Sequence, residues 1–152
     1  MKHLTGTERT LLRIAALLWL VWGLVHAFAG VMTIALDAPQ AVQGIADAVE
    51  PALLNVVYPE AAGAIINQHG FNLLWIGCVT TLCAWFVWRG SSFAILVAAL
   101  TGGLADIGYF VFLDMGGYVK FAPGTVMTIC SATAIFTSFY VYFRRLRDGH
   151  PA

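Results

Sequence analysis

Four separate apolar runs dominate this chain, at 12–36, 71–88, 93–113 and 121–143. About 20 such residues in a helix cross a hydrocarbon layer of about 30 Å. Within lipid a backbone must satisfy its own polar groups, which leaves helices or a closed barrel. Runs of this length with no period-two alternation predict helices. Charged residues make up only 11% of the chain, against roughly 25% in an ordinary soluble domain. The expectation is an all-α fold: one four-helix transmembrane bundle, a single integral membrane domain over residues 1–152. The first run is too long for a cleaved leader and carries Trp19, Trp22 and His26, with no clean small-residue cleavage site after it.

The charges orient the bundle. Lys2, Arg9 and Arg13 precede the first run, Arg89 separates the second from the third, and Arg144, Arg145 and Arg147 follow the fourth. Of the eight cations, only Lys120 falls on the other side. The positive-inside rule places both termini in the cytoplasm, and the expected location is a bacterial inner membrane. A net charge of zero with no basic stripe excludes a nucleic-acid partner.

"RGSS" between the second and third runs forces an antiparallel hairpin. "DMGGYVKFAPG" makes a short outer turn before the fourth. Residues 37–68 are too polar to span and too apolar for a loose linker. Val42, Ile45 and Val49 recur at helical spacing before Pro51. "PEAAGAII" starts with proline and an acid, as helices prefer. Two short outer-face helices are predicted there, either lying on the surface or folded partly over the bundle mouth.

An ionisable group inside a bilayer is costly unless paired or hydrated. His26 and Asp106 are the clearest cases. At 1.5 Å per residue, both lie roughly 20 Å above the arginine-bearing side. Asn72, Thr128 and Cys130 fall in the same layer by the same count, with Gln68 and His69 just above. Ala16, Trp19, Gly23, His26, Ala27 and Gly30 share one stripe of the first helix. Ala99, Gly102, Gly103, Asp106 and Tyr109 form a matching stripe on the third. Small residues mark close helix approach, so both ionisable groups are predicted to face the bundle interior.

Structural roles compete with a functional one for this pair. His26 and Asp106 can bond each other or nearby hydroxyls and only fix helix pairing. A protonated Asp106 can instead bond a backbone carbonyl. Asp114 reads as a turn or cap residue, with Lys120 in reach across water. Glu60 and His69 read as surface groups near the mouth. Trp85 and Trp88 fit an interfacial belt, while Trp22 and Trp75 read as packing residues. Cys78, Cys83 and Cys130 match no metal or haem-attachment spacing and read as small apolar fillers.

Arg13 followed by "IAALLWLVWGLVHAFAG" resembles the opening of DoxX-like small membrane proteins. These also carry an arginine before the first helix, then a glycine and often a polar residue deep within it. The overall plan is similar: four helices, inside termini and a long first outer connection. The resemblance implies an inner-membrane protein tied to quinone or thiol redox processes.

Three functions remain open. The first is a lipophilic or redox-linked small-molecule site, as for a quinone. There His26 and Asp106 exchange a proton with the ligand, while Trp19, His69, Asn72, Tyr109 and Thr128 line it. The second is a non-catalytic accessory or scaffold subunit, whose outer segment 37–68 contacts a membrane partner or a second copy. The third is a metal or haem site using His26 and His69, with Asp106 or Cys130. The residues specify no cofactor. Transport is disfavoured, because the runs show no inverted pairing and no charged ring.

Overall fold

The computed structural model describes residues 4–148. In chain order the helices are α1 (Gly6–Ala35), α2 (Ala38–Ile45), α3 (Pro51–Leu54), α4 (Glu60–Trp88), α5 (Ser92–Asp114) and α6 (Val126–Arg147). Of these, α1, α4, α5 and α6 are long and apolar enough to cross a membrane. The described residues contain no strand. Lys2, counted above with one side's cations, lies outside them.

Local chemistry explains the ends. Thr5 caps α1 and Glu8 reaches back to its backbone N–H at 2.8 Å, a reciprocal capping box. Asp37 caps α2 by accepting from the Gln40 N–H at 3.0 Å. α4 ends in a Schellman turn. Gly90, at φ 83°, donates to Val87 and Ser91 donates to Phe86. Gly117, at φ 72°, repeats that device after α5, with Tyr118 donating to Leu113.

Two boundaries correct the sequence expectation. "PEAAGAII" is not a separate outer helix, because α4 already starts at Glu60 and runs 29 residues. No proline interrupts 60–88, and its glycines keep negative φ, so the polar turns continue into the apolar ones. α6 begins at Val126 rather than 121. Ala122 is extended there (φ −114°, ψ 125°), as the residue before a proline tends to be. The two short helices of this segment are therefore α2 and α3.

α1 packs most extensively on α4 and next on α6, while α5 packs on α4 and α6. α1 and α5 thus face each other across the bundle. The α1–α4 seam is backbone against backbone. A Cβ added at Gly30 would lie 2.6 Å from the Gly70 carbonyl oxygen, and one at Gly23 2.8 Å from that of Gly77. Across the α1–α5 diagonal the gap is filled by indoles. Trp19 and Trp22 are fully buried, and a Cβ at Gly102 would lie 2.6 Å from the Trp19 ring.

The outward faces are apolar. Leu17, Val21, Leu24, Phe28 and Val31 form an exposed stripe on α1, and Phe93, Leu100, Leu104 and Ile107 one on α5. Faces of this size and polarity belong against lipid rather than water. The arginines gather at one end. Glu8 and Arg144 pair at 3.9 Å, Arg145 donates to the Gly90 carbonyl at 2.9 Å, and Arg13 lies over Trp88. At the far end the outer segment is fastened to the α5–α6 connection. The Ala48 N–H donates to the Tyr118 carbonyl at 3.0 Å, and the Lys120 N–H to the Asp47 carboxylate at 2.7 Å.

Candidate functional site

Asp106 is buried at the centre of the bundle, only 4% exposed. A π-type stretch, Ala99–Gly103, directly precedes its turn of α5. Such insertions rotate the following residues about the helix axis and recur at functional sites. Here Gly102 meets Trp19 and Trp22 of α1, and Gly103 meets Ile135 of α6. Asp106, one turn on, therefore points between α1 and α6.

Its two oxygens are held from those two helices. The Trp22 indole N–H donates to Oδ1 at 3.2 Å. The Ser131 hydroxyl bonds Oδ2, and the same hydroxyl oxygen lies 3.0 Å from the Thr128 carbonyl. One carboxyl thus ties three of the four spans together.

The direct His26–Asp106 bond weighed in the sequence is not formed. His26 stacks on the Trp22 indole, with ring centroids 3.6 Å apart and planes 18° apart. Its Nδ1 meets the Trp22 carbonyl at 2.8 Å. A carbonyl only accepts, so Nδ1 carries the proton and a neutral ring keeps its lone pair on Nε2. Trp22 thus sits between the two groups: its N–H reaches Asp106 while its face carries His26.

The remaining sequence candidates divide. Trp19 is fully buried, meets Trp22 edge-on, and its N–H has no partner among the described residues. Thr128 lies one turn above Ser131, half-buried, its hydroxyl likewise without a partner among those residues. The half-buried Tyr109 turns its hydroxyl toward Gly124, at the entry to α6. Asn72 does not join the layer's bonds, because it accepts from Trp75 on its own helix at 3.2 Å. His69 is exposed. Asp114 is not paired with Lys120, since its carboxylate accepts from the Thr125 hydroxyl at 3.1 Å.

Burial thins at this layer on α5 and α6. The apolar core consists of Leu12 to Trp22 on α1, Cys83 to Val87 on α4, Ala94 to Ala98 on α5, and Ala134 and Val141 on α6. All of it lies level with Asp106 or toward the arginine end. Beyond Asp106, α5 buries no residue, and α6 buries none between Val126 and Cys130. His26, Tyr109, Thr128 and Cys130 are half-buried there. On α1 and α4 burial continues past it, at Gly30, Thr33 and Gly70.

Sequence reasoning missed Trp22 and Ser131. An indole in an apolar run reads as packing, and Ser131 lies one turn below the Thr128 that was counted. No three His, Cys, Asp or Glu side chains gather to hold a metal ion among the described residues. Of the two histidines weighed as ligands, His26 is half-buried and His69 exposed.

No family model matches the chain, and comparison with curated proteins and with solved structures gives no match.

Proposed function

We propose that this is a multi-pass protein of a bacterial inner membrane, with both termini cytoplasmic, whose outer half binds a lipophilic, redox-linked small molecule such as a quinone at Asp106. The observation that carries this reading is the buried Asp106 carboxyl, bridged to α1 and α6, with half-buried His26, Tyr109 and Thr128 on the side away from the apolar core. A ligand entering from the outer half meets polar groups at the depth of the bilayer where each is most costly.

Hydrogen accounting supports a proton on Asp106. The Ser131 hydroxyl has one hydrogen and two acceptors within reach, the Asp106 carboxyl and the Thr128 carbonyl. If Asp106 carries a proton on Oδ2, it donates to Ser131, and Ser131 donates onward to Thr128. Every group in the chain is then satisfied. The carboxyl's one proton is then held by Ser131, so Asp106 can pass it to a ligand oxygen only by giving up that bond. His26, locked with Nε2 bare, serves as the acceptor on the other side of Trp22. The likeness to DoxX-like proteins supports the same ligand class.

The test is titration of purified protein in lipid nanodiscs with decylubiquinone, read by quenching of indole emission. Asp106→Asn and His26→Ala are expected to weaken quenching at least tenfold with helical content unchanged. Infrared spectra of the wild type are expected to show a protonated carboxyl band that Asp106→Asn removes. Wild-type affinity in both variants would overturn the reading. A C-terminal fusion to a reporter active only in the periplasm is expected to be silent.

A second reading, an accessory subunit contacting a membrane partner, draws on the outer segment. Pro39, Gln40, Gln43, Pro51, Ala52 and Asn55 line a concavity of about 310 Å³ there. Crosslinking from Gln43 to another membrane protein, with an unchanged phenotype in Asp106→Ala, would favour it.

A further inference from the structure

The arginine end carries two cations that the fold lays on indoles rather than beside opposite charge. Arg144 has Glu8 as its partner and Arg147 has Asp148. Arg145 is spent on the Gly90 carbonyl. Like the exposed Arg9, Arg13 and Arg89 have no carboxylate partner among the described residues. Each is instead laid on an indole: the Arg13 guanidinium lies 5.1 Å from the Trp88 ring centroid, and that of Arg89 lies 4.4 Å from the Trp85 centroid.

Trp85 and Trp88 are three residues apart on α4 and so are neighbours on one helix surface. They are 55% and 41% exposed, on a face whose other exposed members, Leu82 and Phe86, are apolar. Two guanidiniums therefore lie on neighbouring indoles where the lipid-facing surface of α4 ends. Stacking fixes their orientation beforehand and leaves their N–H edges unspent. Guanidinium is the side chain best matched to phosphate oxygens. At that position the phosphates within reach are those of lipid headgroups, and the apolar surface above receives acyl chains.

We propose that Arg13, Arg89, Trp85 and Trp88 form a binding site for an anionic phospholipid bearing two phosphates, of the cardiolipin class, one guanidinium serving each phosphate. Charge complementarity and the adjacency of the two indoles select this occupant over a single-phosphate lipid, which leaves one cation uncompensated. The site depends on the chain crossing a bilayer and is independent of what the Asp106 layer binds.

The test uses the full chain in neutral detergent, with melting followed by circular dichroism and lipid adducts by native mass spectrometry. The probes are cardiolipin, phosphatidylglycerol at matched phosphate, and phosphatidylcholine. Cardiolipin is expected to raise the wild-type melting temperature and to form a one-to-one adduct. Phosphatidylglycerol is expected to have less than half that effect, and phosphatidylcholine none. Arg13→Gln and Arg89→Gln should each weaken the adduct about tenfold, and the double variant should abolish both adduct and shift. Trp88→Leu keeps both charges but removes one stacking face, and is expected to weaken the adduct severalfold. Arg147→Gln, whose cation already has a partner, should behave as wild type. A double variant that retains the cardiolipin shift would overturn the proposal. So would equal responses to cardiolipin and phosphatidylglycerol, or an Arg147→Gln loss as large as that at Arg13.

Discussion

The bonds at Asp106 make a quantitative prediction that separates the observed partners from the one weighed in the sequence. Three double-mutant cycles share Asp106→Ala and pair it with Trp22→Phe, Ser131→Ala or His26→Ala. Single-variant costs mix several effects here. Trp22→Phe also removes packing from a fully buried ring, and Asp106→Ala relieves the burial of a carboxyl while orphaning an indole N–H. The cycle cancels these and leaves the pairwise term. Hydrogen bonds between membrane helices couple by about 0.6 kcal/mol on average and up to about 1.7 kcal/mol. Trp22 and Ser131 use different oxygens of Asp106, so each cycle should return a coupling in that range. His26 makes no hydrogen bond to Asp106, so its cycle should return less than either. The assay is reversible unfolding in mixed micelles by titration with a denaturing detergent, followed by circular dichroism. A His26 coupling larger than both others would refute the arrangement. Strict additivity in the Trp22 cycle would refute the indole bond itself.

Gly30→Ala places a Cβ 2.6 Å from the Gly70 carbonyl oxygen; it should force α1 from α4 and cost roughly 1–3 kcal/mol in the same unfolding assay. Gly108→Ala meets nothing within 4 Å, so it should be neutral or stabilise by up to about 1 kcal/mol through helix propensity. Asp47→Ala removes the acceptor of the Lys120 N–H and should speed amide exchange at Lys120 and across 46–50, with bundle melting unchanged. Asp37→Ala removes the α2 cap and should cost that helix about 1 kcal/mol, seen as faster exchange at 40–45.

Much of the fold was legible because lipid leaves the backbone so few choices. Hydropathy located all four spans, and glycine and alanine stripes on α1 and α5 marked interior faces. The length of α4 was not legible, since a hydropathy window sees only the apolar part of a helix that continues through Ala61–Gln68. The site was half legible. Asp106 was found by its cost, and its layer by counting rise. The count assumes a regular α-helix, and the π-type stretch at 99–103 breaks that assumption. His26 and Asp106 both meet Trp22, and that indole takes the contact each was expected to make with the other. Height along an axis is readable from sequence; the identity of what stands between two groups is set by rotamers, which leave no periodic trace.

The seam between α1 and α4 carries one more consequence. Gly23 and Gly30 are one heptad apart, and so are Gly70 and Gly77, so the two helices possess a second alignment in which α4 has slid by seven residues, about 10.5 Å. That slid pairing would keep one glycine contact of the two. The register is marked at the ends as well. There Leu4 lies against the Gly90 turn and Arg13 covers Trp88, contacts that exist in only one of the two alignments. The terminal turns of this protein act as the stop that tells a repeating zipper where to close.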